Sequence, residues 1–228
     1  MGSVLGDIAD LVLARRCLGC EIAPTLLCST CRLSMLGHAQ IARDLRFEDV
    51  SAHLRLPLAV AHTYAPPMSA LLYRYKDNQI PALAHFLAEV LVGALDLLAT
   101  HTGQCRANIT VVPVPSRRGS QRQRGFDHMA LIARSLQRFG IAHAPVLQDT
   151  RRTGRSKTLN ISQRRLASDQ AFTLRDTRAL RLLGTRPVMV IDDVTTTGAT
   201  LHEATETLLM AGVHVTACAS IAGSRRKH

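Results

Sequence analysis

An unbroken apolar run that stops at two adjacent carboxylates and a threonine loop leaves few architectures open to a chain. Residues 187–200 read PVMVIDDVTTTGAT. Pro187, Val188, Met189, Val190 and Ile191 show no polar alternation, which predicts a strand covered on both faces, as in a parallel α/β sheet. Asp192 and Asp193 then fall at its carboxyl end, where open α/β sheets bind ligands. Thr195, Thr196, Thr197, Gly198, Ala199 and Thr200 supply hydroxyls and closely spaced backbone N–H groups, and Gly198 lets the main chain approach an anion. A helix starting near Ala199 adds its positive dipole end. An ordinary helix cap needs one such side chain, so this set reads as a phosphate cradle with two acids beside it. The glycine spacing excludes a Walker loop and a dinucleotide fingerprint. A sugar phosphate fits: the cradle takes its terminal phosphate and the two carboxylates hold a vicinal diol.

The charge is concentrated on the same part of the chain. Residues 1–110 carry nine Lys/Arg and nine Asp/Glu, whereas residues 111–228 carry nineteen against eight, so the net charge of +11 belongs to the second part. Polyanionic partners are implied. A length of 228 residues suits one core domain with a small appendage. The N-terminal apolar stretch contains Asp7 and Asp10 and lacks a small-residue cleavage site, so it does not read as a secretory signal. The longest apolar segment, 81–100, carries His85, Glu89 and Asp96 and reads as an amphipathic helix, with no membrane insertion. Four of the six cysteines form two short pairs, Cys17-x-x-Cys20 and Cys28-x-x-Cys31. With no export signal, metal binding in the cytoplasm is expected over disulfides. Two loops with two thiolates each close a tetrahedral site of the kind zinc prefers. Cys105 and Cys218 read as unrelated, Cys218 as a small buried hydrophobe in a strand.

Along the chain, residues 3–16 have helical spacing, and residues 32–56 read as a helical connector. Residues 58–64 read as a strand and residues 68–76, MSALLYRYK, as a helix whose end presents Arg74 and Lys76. Those two cations suit a solvated helix terminus as well as they suit the site. Residues 109–115 form the next strand, leading into SRRGSQRQRGF, where Arg117, Arg118, Arg122 and Arg124 lie within eight residues without an acid among them. If this strand is a parallel neighbour of the one ending at Asp192, the cluster points into the same crevice, where a pyrophosphate would lie. Residues 127–139 read as an amphipathic helix closed by Gly140, and its lone His128 reads as a surface residue. A strand begins at 145–147. Residues 150–170 are strongly basic, and read either as a lid that orders over substrate or as a disordered tract. Phe172 and Leu174 resume a strand pattern, 201–211 a helix capped by Gly212, and 213–221 a final buried strand.

Residues 188–200 resemble the phosphoribosyl-pyrophosphate (PRPP) signature of type I phosphoribosyltransferases. Taken in order with the paired Cys-x-x-Cys and VPVPSRRGSQRQRGFDH, they resemble the ComF family of phosphoribosyltransferase-like proteins, associated with DNA uptake in competent bacteria. The resemblance implies an α/β, type I phosphoribosyltransferase fold over residues 57–228, with a small zinc-binding module and connector at 1–56. It implies ribose contacts from Asp192 and Asp193, 5′-phosphate binding by Thr195 through Thr200, and pyrophosphate binding with Mg²⁺ at Arg117, Arg118, Arg122 and Arg124. Structural zinc would sit on Cys17, Cys20, Cys28 and Cys31. The expected function is PRPP binding and transfer of the phosphoribosyl group to an acceptor with release of pyrophosphate. The alternative is a non-catalytic adaptor in DNA uptake that binds single-stranded DNA or protein partners. This chain departs from the family where Gly-Phe-Asn-Gln becomes Gly125, Phe126, Asp127, His128, and again at Lys157, where the family has Gln.

Overall fold

The computed structural model describes residues 16–22, 25–51, 53–117, 119, 125–151, 171–176, 180–181 and 183–224. The helix expected at 3–16 and nearly all of the basic segment 150–170 lie outside the described residues. Helices α1 to α5 are Ser29–Ser34, Met68–Lys76, Ala84–His101, His128–Leu136 and Ala199–Met210. Strands β1 to β8 are Gln40–Arg46, Arg55–Thr63, Thr110–Pro113, Ala142–His143, Leu147–Asp149, Phe172–Leu174, Val188–Thr195 and Val215–Gly223.

Six strands form one sheet in the order β1-β2-β8-β7-β3-β4, parallel throughout except for the antiparallel edge strand β1. β5 and β6 form a separate antiparallel pair. The unbroken apolar run gives β7, which lies inside the sheet and is buried on both faces up to Asp193. β3 is its parallel neighbour, with Val111 opposite Met189 and Pro113 opposite Ile191. Met189 and Ile191 face a core built with Leu71, Leu87, Leu91, Ile132 and Leu136 from α2, α3 and α4. Val188 and Val190 face the other core, built with Leu201, Ala204 and Leu208 of α5. The result is a mixed α/β protein with a mostly parallel sheet flanked by helices.

The expected helix over 32–56 is not formed. Helix α1 ends at Ser34, and residues 40–46 pair along β2 as the sheet's edge. The sequence QIARDLR alternates in burial, and pairing with the apolar β2 fixes it as a strand where local propensity is indifferent. The two-residue strand β4 was also not anticipated. Helix Pro81–His101 is long and apolar enough to cross a membrane, but 61% of its apolar window is buried within the protein. It packs on β2, β8 and α4.

The chain paths define where a ligand can enter. The connection from β3 to β4 passes over one face through α4, whereas that from β7 to β8 passes over the other through α5. Because β3 and β7 are neighbours, their carboxyl ends diverge to opposite sides and leave a crevice between them, the switch point at which open α/β sheets take ligands.

Candidate functional site

Asp192 and Asp193 lie at the mouth of this crevice, at 8% and 5% exposure. Consecutive strand residues point to opposite faces, so the two acids straddle the end of β7 and meet different surroundings. Asp193 turns toward α2 and α4. Its Oδ2 accepts from Lys76 Nζ at 2.5 Å and from His128 Nε2. Burial opposes ionisation of Asp193, but the hydrogen bond from His128 and the ammonium of Lys76 overcome it and hold the carboxyl well below its ordinary range. Asp192 accepts the backbone N–H of Asp193 at 2.8 Å. Burial and the neighbouring Asp193 charge push its carboxyl well above the ordinary range. The pair thus combines one clamped carboxylate with one that ionises reluctantly, which suits it to hold a hydroxyl as donor or acceptor.

His128 is not a surface residue. It is 7% exposed, and its Nδ1 lies 2.5 Å from Ser116 Oγ, which donates to Asp127 Oδ1 at 3.1 Å. Asp127 also caps α4, accepting from the N–H groups of Met129 and Ala130. Tyr75 donates to the His128 carbonyl at 2.7 Å. A buried chain therefore runs from the α4 cap through Ser116 and His128 to Asp193, and α2 joins it through Lys76 and Tyr75. The sequence signal for it was the His in place of the family's Gln, next to an N-capping Asp.

The threonine loop follows directly. Thr195 ends β7, and its buried hydroxyl has no hydrogen-bond partner among the described residues. Thr196, Thr197 and Ala199 are exposed and Thr200 half-buried. Thr197 Oγ1 accepts from Ala199 N at 3.3 Å. Gly198 sits at φ 85°, left-handed, as the N-cap of α5. A Cβ there would be strained by the left-handed backbone and would crowd Leu45 Cδ2 at 3.0 Å and Arg43 Nη2 at 3.2 Å. Arg43 Nη2 donates to the Thr196 carbonyl at 2.9 Å. This cation comes from the segment expected to be a helical connector, and no motif announced it. Of the arginine cluster, Arg117 is exposed just beyond β3, while Arg118, Arg122 and Arg124 lie outside the described residues.

The four paired cysteines converge at the N-terminal end, with all four sulfurs within 4.8 Å of one another. The Sγ atoms of Cys20 and Cys28 are 3.8 Å apart, the edge of roughly 3.8 Å expected for a zinc tetrahedron with ~2.3 Å bonds. Backbone N–H groups of Gly19 and Cys28 donate to Cys17 Sγ at 3.4 and 3.3 Å, and that of Cys31 to Cys28 Sγ at 3.4 Å. A Cβ on Gly19 would meet Cys31 Sγ at 2.7 Å, so the knuckle needs glycine there. Burial disfavours the Cys17 thiolate, but the N–H donors outweigh it and bring the thiol down to about 6. The hydrogen bond with Cys28, with burial, pushes Cys31 up to about 12. Without a cation the four sulfurs cannot all ionise together, and a structural metal such as zinc resolves that conflict.

No family model matches the chain. Competence protein F of Haemophilus influenzae is 27% identical over 202 residues, covering 86% of this chain and 85% of that protein. DNA utilization protein YhgH of Escherichia coli O157:H7 is 29% identical over 158 residues, 68% of this chain and 66% of the relative's length. These relatives support membership of the ComF family. The four-cysteine cluster and the β7 signature are thus features of one chain that aligns with a competence protein over most of its length.

Proposed function

We propose that this ComF protein binds PRPP through the crevice between β3 and β7 and transfers its phosphoribosyl group to an acceptor, on a type I phosphoribosyltransferase fold. The observation that carries this reading is the pairing of Asp192 and Asp193 with the left-handed Gly198 loop at a switch point of the sheet. The ribose diol lies across the two acids and the 5′-phosphate on the loop, where the Thr195 hydroxyl lacks a partner among the described residues. Arg117 and the arginines that follow it in the sequence would take the pyrophosphate, and Mg²⁺ bound with it would neutralise part of its charge. As the bond at C1′ breaks, positive charge develops on the sugar and negative charge on the leaving group, and preoriented cations lower the barrier by stabilising the latter. Calorimetry of PRPP with Mg²⁺ tests this. Saturable one-site binding is expected, and a folded, metal-replete protein that takes up no PRPP sinks the reading.

The names of the relatives favour a second reading, a role in competence and DNA utilization in which the chain contacts nucleic acid. Its support is the excess of cations in residues 111–228. Binding of single-stranded DNA is then expected to weaken steeply with salt, with log K falling by about 0.7 per phosphate contact per decade of salt. A salt titration by fluorescence anisotropy reads this, and a complex insensitive to salt removes the idea. Both readings hold together if PRPP and DNA occupy different faces.

A further inference from the structure

We infer that Arg43 is a positioning residue for the anion loop, holding the Thr196–Thr197 peptide so that its N–H faces the ligand. Three observations converge on it. First, strand β1 carries a bulge: Ile41 pairs with Ala59 and Arg43 with Leu58, so Ala42 is an extra residue with no place in the register. In a regular strand Ile41, Arg43 and Leu45 would share a face. Here Ile41 packs against the core beneath α2, α3 and α4, whereas Leu45 belongs to the core beneath α5. The bulge thus turns Arg43 onto the α5 side, the re-aiming of a side chain that bulges accomplish.

Second, the guanidinium lies against the loop itself. Its Nη2 donates to the Thr196 carbonyl at 2.9 Å, and a Cβ on Gly198 would sit only 3.2 Å from the same Nη2. In a trans peptide the C=O and the following N–H point in opposite directions. Fixing the Thr196 carbonyl toward Arg43 therefore fixes the Thr197 N–H away from it, on the open side of the loop. Third, β1 and the residue after it grip the first turn of α5 as a unit. Leu45 Cδ2 abuts Gly198, His202 Nε2 lies 2.7 Å from the Arg46 carbonyl, and Phe47 stacks on the His202 ring at 4.5 Å. The loop at this helix end is thereby made rigid before a ligand arrives, which reduces the ordering cost of binding. The edge strand, which carries no recognised motif, acts as the back wall of the anion site.

This inference rests on the loop's role as a phosphate site, and the test separates the two. Ribose 5-phosphate, which carries the 5′-phosphate without the pyrophosphate, is titrated into wild type, Arg43→Met and Arg43→Gln by calorimetry. Amide hydrogen exchange of residues 196–200 is measured on the same ligand-free proteins. Arg43→Met removes the donor and is expected to weaken binding about tenfold or more and to accelerate exchange at the loop, with the sheet unchanged. Arg43→Gln keeps an N–H donor without the charge, and is expected to recover most of the affinity and protection. Unchanged loop exchange in Arg43→Met overturns the inference whether or not a ligand binds. Rescue by Arg43→Lys and not by Arg43→Gln also overturns it, because the charge would then act directly. Accelerated loop exchange in Arg43→Met, in a protein whose wild type binds neither ribose 5-phosphate nor PRPP, leaves the positioning of the loop established and sinks the ligand reading instead.

Discussion

Asp192→Asn is expected to raise the melting temperature of the ligand-free protein, and Asp193→Asn to lower it, although the two residues are adjacent and chemically identical. The difference lies in what each carboxyl faces. Asp192 is buried beside another acid, with no cation in contact among the described residues, and its carboxyl is pushed upward by burial and by Asp193. Removing that charge relieves a cost, and the gain is put at roughly 1–2 kcal/mol, the size typical of functional sites that trade stability for activity. Asp193 is the shared acceptor of Lys76 and His128. An amide there leaves a mostly buried lysine without its counter-charge, for a loss of about 3 kcal/mol, at the low end for a broken buried pair because Lys76 retains some exposure. In a chain of this size that is roughly 6–12 °C in melting temperature.

The pH dependence follows with a definite sign. A carboxyl raised in the folded state binds its proton more tightly there than in the unfolded chain, so the penalty from Asp192 grows as pH rises above the ordinary carboxylate range. A carboxyl lowered in the folded state contributes stability at neutral pH that is lost as pH falls through the ordinary range, which is the case at Asp193. Melting curves between acid and neutral pH should therefore show two differences from wild type, opposite in sign, both shrinking in acid. Both variants are expected to lose PRPP binding. Shifts of the same sign at neutral pH would refute the asymmetric pair.

The contrast between these acids also marks the limit of what the residues disclosed on their own. The strand, its burial on both faces and its end at a polar loop were legible at 187–200, because an unbroken apolar run has few other places to go, whereas the parallel pairing with β3 entered only as a condition that the structure then met. That Asp193 would be clamped by Lys76 and His128, with no such clamp on Asp192 among the described residues, was not legible, since the clamp comes from residues 117 and 65 positions away. Lys76 was visible only as a cation at a helix end. His128 looked like a surface histidine until α4 carried it against β7. Arg43 was hidden more deeply, in a segment whose alternation is short and interrupted by a bulge, so that neither strand nor face could be assigned locally. Local pattern finds the ligand-facing motif, whereas the groups that set its charge and stiffness arrive through tertiary packing.

Removal of metal from the cysteine cluster is expected to have a still larger effect, concentrated at residues 16–36. Besides its sulfurs, the first knuckle is held among the described residues by the Leu18 N–H to Leu26 carbonyl bond and by Leu18 at the edge of the main core. The cluster's backbone N–H groups donate to sulfur, and four thiolates this close together would repel one another without a cation between them. The second knuckle is tied to the domain: Met35 is 1% exposed in the main core, and Arg32 pairs with Glu89 at 2.5 Å and lies over the Phe86 ring. Losing the metal should therefore unravel the knuckles and also loosen Met35 and the face of α3 on which it packs. Structural zinc contributes on the order of 10 kcal/mol of apparent binding free energy in small zinc modules, so even partial coupling to the core lowers the melting temperature well beyond any single substitution. Chelation, or Cys17→Ser, should release about one zinc per chain. It should raise hydrogen exchange over residues 16–36 and lower the melting temperature, while sparing exchange in β7 and β8. Because the ligands must lose protons to bind, zinc occupancy should also fall in acid, as protons compete for Cys17, whose thiol sits at about 6. Protein prepared with zinc that carries none, and melts identically with and without chelator, would show the four cysteines to be packed thiols instead of ligands.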